Sequence, residues 1–225
     1  MSFRIVTMTL KILLVLFTMV CLTYDLSGQD PLRFKEEINL MLSGEEGMGS
    51  DTDLIVFTGS SSIRMWESLS DDFSEATLLN RGFGGSQMSD LLYYKKELIL
   101  QYRPARIFIY EGDNDIWEGK STDEILSDAA KLLKSIKESL PTSKVYFISA
   151  KPSIARWGMA DKYRQFNRRL EQWTEEQGVS FIDIWTPMCD ADGDVLQDLF
   201  IEDDLHMNEK GYAIWKDVIG PFVGD

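Results

Sequence analysis

Apolar residues along this chain fall into two kinds of run. Leu54 to Thr58, Thr77 to Asn80, Arg106 to Tyr110, Lys144 to Ser149 and Ser180 to Ile184 are short, mostly continuous in hydrophobicity and rich in β-branched or aromatic side chains. Strands buried on both faces read this way. Between them, apolar residues recur every three or four positions. Thr122 to Leu140 sets Ile125, Ala129, Leu132, Leu133, Ile136 and Leu140 on one face, with Ser121 or Thr122 as cap and Pro141 as stop. A second helix is predicted from Asp161 to Gln177, stopping at Gly178, and a third begins at Asn208 and turns Tyr212, Ile214, Trp215 and Val218 inward. The alternation predicts an α/β domain: a five-stranded parallel sheet covered on both faces, a three-layer αβα sandwich. In open sheets of this kind ligands sit outside the carboxyl ends of the strands, so chemistry is sought in the loops leaving those ends.

The amino terminus departs from this pattern. Arg4 and Lys11 precede an uncharged apolar run, Ile12 to Leu22, that is short for a membrane span. We expect residues 1–28 to be a signal peptide, cleaved before Gln29, and residues 29–225 to be one exported domain, periplasmic or extracellular. A lipidated Cys21 is the lesser alternative, because Val20 precedes it where lipoprotein signals place a small residue. The remaining chain of about 200 residues suits a single core. It keeps one cysteine, Cys189, which cannot form an internal disulfide and is read as a packing residue.

A formal net charge of −14 argues against nucleic acid or an anionic membrane surface as partner, since both are bound through basic patches. Uncharged small molecules or glycans are the expected partners, with no stable membrane insertion after cleavage; the oligomeric state stays open. Asp190-Ala191-Asp192-Gly193-Asp194 hints at calcium, but its glycine falls at the fourth position where a calcium loop wants it sixth, so a turn is expected. With one histidine in the chain, the ligands of a zinc site are also missing.

Two segments carry candidate chemistry. The first strand runs into Gly59-Ser60-Ser61-Ser62, a turn through glycine that exposes hydroxyls at the start of a helix. Taken alone, such serines serve as helix caps more often than as nucleophiles. Near the other end, Asp203 stands three residues before His206, the sole histidine. A carboxylate at that spacing in a loop can accept the Nδ1 proton and leave Nε2 free to take a proton from a serine, although packing or capping uses of a histidine remain open.

Gly59-Ser60-Ser61-Ser62, Asn80-Arg81-Gly82-Phe83-Gly84-Gly85-Ser86, Gly112-Asp113-Asn114-Asp115 and Asp203 with His206 arrive in the order of four sequence blocks of the SGNH/GDSL hydrolases. The chain resembles that family over nearly all of the expected mature domain. The Gly-Ser-Ser segment is similar to that of platelet-activating-factor-acetylhydrolase-like esterases. Ser60 stands where the signature has aspartate, and Asp204 where glycine often follows the catalytic aspartate. The resemblance implies a flavodoxin-like SGNH hydrolase fold. It also implies Ser61 as nucleophile, His206 as base, Asp203 as its partner, and an oxyanion hole of the Ser61 amide, the Gly85 amide and the Asn114 side chain. No cofactor or metal is implied.

Lys151 to Trp157 leaves the fourth strand on the same edge, so Arg156 and Trp157 are expected to line the substrate cleft. The expected activity is hydrolysis of carboxylic esters, with short acyl groups, acetyl on a carbohydrate, as the leading substrate. A lysophospholipase or a platelet-activating-factor-acetylhydrolase-like lipid esterase is the alternative. A non-catalytic carbohydrate-binding protein on the same fold is the alternative of another class.

Overall fold

The computed structural model describes residues 30–43 and 53–224. The expected signal peptide, Cys21 included, lies outside the described residues. Of the described residues, 30–35 fall in one unit and those from Glu36 onward in another. In the first, the Asp30 carboxylate accepts the Leu32 N–H (2.9 Å) to open a 3-10 turn over Pro31–Phe34.

The second unit holds five parallel strands: β1 (Ile55–Gly59), β2 (Leu78–Gly82), β3 (Arg106–Tyr110), β4 (Lys144–Ile148) and β5 (Ser180–Ile182). Their order is β2-β1-β3-β4-β5, the doubly wound arrangement of flavodoxin-like sheets. Interleaved are α1 (Lys35–Leu42), α2 (Ser61–Arg64), α3 (Leu69–Asp72), α4 (Met88–Leu98), α5 (Asp113–Trp117), α6 (Thr122–Ser139), α7 (Ala160–Gln177) and α8 (Glu209–Val223). All five predicted strands are present, β3 with the expected bounds and the other four with at least one end shifted. β2 reaches Gly82 because Arg81 and Gly82 pair with Thr58 and Gly59 of β1. β5 stops at Ile182 because the next carboxylate, Asp183, turns the chain by accepting the Trp185 (2.9 Å) and Thr186 (3.2 Å) N–H groups.

The period-two alternation of each strand divides the core between the two faces. Ile55, Phe57, Phe108, Tyr110, Tyr146, Ile148 and Ile182 turn toward α8, which supplies Tyr212, Trp215, Ile219 and Val223. In-register pairing sets Phe57 beside Phe108 and Phe108 beside Tyr146, so their rings stack at 4.4 and 4.6 Å. Each such pair contributes about 0.5–1.5 kcal/mol beyond its buried area. On the other face α6 packs between α4 and α7, and Trp173 of α7 meets Phe147 edge-on at 5.2 Å.

The helix over Met88–Leu98 is absent from the sequence reading; it starts without a Ser, Thr, Asp or Asn cap, the Asp90 carboxylate accepting the Gln87 N–H (3.0 Å) instead. The Asp190–Asp194 segment is a turn between the bridged residues Cys189 and Val195, its Asp190 carboxylate accepting the Asp192 and Asp194 N–H groups. Cys189 is only half buried, and that burial pushes its thiol up to about 11. Among the described residues no helix is long and apolar enough to cross a membrane.

Candidate active site

β1 and β3 flank the point where the strand order reverses, and the loops leaving them carry Ser61 and Asn114. At Gly59 the chain must turn off β1 against its neighbour: φ is 131°, and a Cβ would stand 2.0 Å from the Tyr110 carbonyl oxygen. Only glycine fits there. The Ser60 N–H then donates to that same carbonyl (3.1 Å), and Ser61 becomes the first residue of α2. The three hydroxyls separate by environment. Ser60 and Ser62 are buried, and Ser60 makes no side-chain cap to the helix. Ser61 is partly exposed, and its Oγ lies 2.8 Å from His206 Nε2.

The His206 loop is shaped by Asp203. One carboxylate oxygen accepts the Leu205 (2.9 Å) and His206 (2.8 Å) backbone N–H groups, and the other accepts from His206 Nδ1 at 2.5 Å. With the ring proton on Nδ1, Nε2 accepts from the Ser61 hydroxyl. Burial opposes ionisation of Asp203, but the hydrogen bonds from the His206 ring and from the two backbone groups outweigh it and bring the carboxyl down to about 2. Asp204 takes φ 57°, the left-handed region, which explains why glycine suits this position. Its carbonyl accepts the Ala155 N–H (3.0 Å), and the His206 carbonyl accepts the Ile201 N–H (2.9 Å). Asn208 follows as the cap of α8, accepting from Lys210 and Gly211.

The loop after β2 presents Gly85 at φ 73° and exposed to solvent; a Cβ there would meet nothing within 4 Å, so the backbone angle alone calls for glycine. Its neighbour Gly84 donates its N–H to Glu37 Oε1 (3.1 Å), and the Ser86 carbonyl accepts from Asn114 Nδ2 (2.9 Å). Asn114 therefore spans from α5 to the glycine loop and does not cap its own helix, whose cap is Gly112. The Ser61 N–H, first in its helix, has no intrahelical acceptor.

Arg156 and Trp157, expected at the cleft, are engaged by other protein groups. Arg156 is about nine-tenths buried and pairs with Asp113 (2.6 Å) and the Asn114 side-chain oxygen (3.0 Å). Trp157 stacks on Trp185 at 6.0 Å, with the Arg164 guanidinium over both rings. Trp117, one helical turn after Asn114, is 50% exposed and has the Arg156 guanidinium 5.2 Å from its ring.

Sequence reasoning named Asp113, Lys151 and Arg156 within its segments but missed their pairing below this surface. Asp113 takes Arg156, Lys151 (3.5 Å) and the Tyr110 hydroxyl (2.9 Å), and Lys151 also donates to the Leu205 carbonyl (2.8 Å), next to His206. Burial would raise the Asp113 carboxyl, yet Lys151 and Arg156 beside it hold it below its ordinary value. Glu111 accepts from the Ser86 hydroxyl (2.6 Å), and burial, reinforced by the Asp115 carboxylate, pushes it well above the usual range. The only sequence signal for this cluster was charged residues in the segments that directly follow the apolar strands β3 and β4.

Comparison with known proteins places the fold and the family. The fold is shared with a GDSL-like lipase from Bacteroides thetaiotaomicron, at a TM-score of 0.71 and 20% identity over 87% of this chain and 97% of that one. It is shared also with a catalytic mutant of an acetylxylan esterase from Geobacillus stearothermophilus, at 0.65 and 16% identity over 79% and 97%. No curated protein matches the sequence at significance. The model of the GDSL-like lipase/acylhydrolase family matches residues 46–214, and with that match across most of its length this chain belongs to the GDSL-like lipase/acylhydrolase family.

Proposed function

We propose that the protein is an exported serine esterase that removes short acyl groups, acetyl above all, from carbohydrate esters. The observation that carries this reading is the continuous contact from Ser61 Oγ to His206 Nε2 (2.8 Å) and from His206 Nδ1 to Asp203. Serine is a weak nucleophile until a base takes its proton. In the reaction, Ser61 attacks the acyl carbonyl as His206 accepts the hydroxyl proton, and Asp203 stabilises the imidazolium. Negative charge then builds on the carbonyl oxygen, where the Ser61 and Gly85 N–H groups and the Asn114 amide donate to it. His206 returns its proton to the leaving alcohol, the acyl-serine forms, and water activated by the same base releases the acid.

Trp117 supports a sugar as the alcohol portion: half exposed and one turn from Asn114, it offers a flat face on which a pyranose ring can stack. The fold shared with an acetylxylan esterase points the same way. Export is supported by the charged-then-apolar pattern of residues 1–28; amino-terminal sequencing of the protein recovered from a cell envelope fraction checks it.

The decisive experiment is hydrolysis of p-nitrophenyl esters of increasing chain length and of acetylated xylo-oligosaccharides by the wild type and Ser61→Ala. Loss of kcat by roughly 10⁴–10⁶-fold in the variant is expected, together with a preference for acetyl and loss of fluorophosphonate labelling. Equal rates would remove Ser61 from the reaction. A preference for long acyl chains would turn the reading toward a lipid esterase.

A further inference from the structure

The side-chain amide of Asn114 is useful to a developing oxyanion in only one of its two orientations. Its nitrogen is a donor and its oxygen an acceptor, and exchanging them leaves the shape of the group unchanged. In the flipped state the oxygen would face the carbonyl of the substrate and repel the growing charge. Something must therefore decide the orientation.

We infer that Arg156 is a positioning residue that sets it, acting with the Ser86 carbonyl, which as a pure acceptor faces only the amide nitrogen. A guanidinium has donors and no acceptor, so only Oδ1 of Asn114 can face it; the contact is 3.0 Å. The amide nitrogen is thereby turned to the opposite side, where one hydrogen goes to the Ser86 carbonyl (2.9 Å). Among the described residues the second hydrogen has no protein acceptor, and it is directed to the acyl oxygen. Arg156 is itself held on three sides: by Asp113 through its other terminal nitrogen (2.6 Å), by the face of Trp117 (5.2 Å), and by its near-complete burial. Asp113 in turn is pinned by Lys151 and Tyr110. Lysine cannot replace this arginine, because a point-like ammonium that satisfies Asp113 lacks the planar fork that reaches Asn114 at the same time.

The inference rests on Asn114 being an oxyanion donor, and a double-mutant cycle separates the two ideas. Four proteins are compared on p-nitrophenyl acetate: wild type, Asn114→Ala, Arg156→Lys and the double variant, with Arg156→Gln run in parallel in both backgrounds so that misfolding of one substitution does not end the test. Asn114→Ala is expected to lower kcat by about 10²–10³-fold. Arg156→Lys is expected to lower kcat by about 10–100-fold with KM little changed, since misplacing a donor penalises the transition state more than the ground state. In the Asn114→Ala background the Arg156 substitutions should then change kcat by less than about twofold, because nothing remains to position.

If Asn114→Ala leaves kcat intact, the oxyanion reading itself fails. If it lowers kcat while the Arg156 variants do not, or if they lower it by the same factor in both backgrounds, Arg156 acts elsewhere and the inference is overturned. A rise in KM at unchanged kcat would make Arg156 a substrate contact instead.

Discussion

The loop that carries Asp203 and His206 and the elements that carry Asn114 meet at one site but are held by opposite means. Asp203 is 45% exposed and His206 20%, and the contact between them is made by hydrogen bonds within a stretch of four residues. Asp113 and Lys151, which support the other half, are 5% and 1% exposed and join segments far apart in the chain. A local, solvated arrangement costs little to form, because water shares in satisfying each group. A buried cluster of charges tolerates no vacancy, since any member left without its partner keeps the full cost of leaving water. The exposed half can therefore be altered with consequences mainly for rate, whereas the buried half couples rate to folding.

Replacing Asp203 by asparagine is the strongest probe of this contrast. Asparagine has nearly the shape of aspartate but does not hold the imidazole tautomer or stabilise its charge, so kcat should fall by roughly 10⁴-fold while the protein stays folded. The pH dependence of stability follows with a definite sign. Folding lowers the Asp203 carboxyl from 3.8 to about 2, so its contribution is complete above pH 4 and is lost as the pH falls toward 2. Acid unfolding followed by circular dichroism should be shallower over that interval in the asparagine variant; identical curves would mean that Asp203 gains nothing from its partners.

For the buried half, Lys151→Met removes a partner of Asp113 and should lower the unfolding free energy by about 3 kcal/mol in urea, Arg156 remaining to limit the loss. The exposed pair of Lys210 and Asp198 (2.8 Å) is the control, and Lys210→Met should leave the urea midpoint where it is. Equal effects at the two lysines would erase the distinction between the halves. A small effect of the opposite sign is expected at Asp204, whose φ of 57° strains a side chain. Asp204→Gly should raise the stability by up to about 1 kcal/mol, seen as a higher melting temperature, and a lower one would show that the Asp204 side chain is held by contacts that outweigh the strain.

How far each part was legible follows the same division. Asp203 and His206 could be paired from the sequence because a turn brings residues three apart together without help from the rest of the fold. The strands were legible from their continuous hydrophobicity, as were α6 and α7 from their periodicity and from Pro141 and Gly178 at their ends. Strand ends were less so, because pairing with a neighbour carried β2 on to Gly82 and a carboxylate halted β5 at Ile182. The helix over Met88–Leu98 lacked the usual capping residue and escaped notice. Arg156 was read as a residue facing substrate because its loop leaves the fourth strand on the edge that carries the other blocks; in the structure it is largely buried against a carboxylate 43 residues earlier in the chain.

By itself, then, the amino-acid sequence determined the α/β architecture, the glycine turn at Gly59 to Ser61 and the Asp203–His206 unit, because periodicity, glycine stereochemistry and short loops act over a few residues. Tertiary structure alone decided which of three adjacent serines meets the histidine, which way the Asn114 amide points and where the charges of Asp113, Lys151 and Arg156 are neutralised. Those outcomes depend on groups contributed by segments that follow different strands, and hydrogen bonding and electrostatics act through space, where sequence separation carries no information.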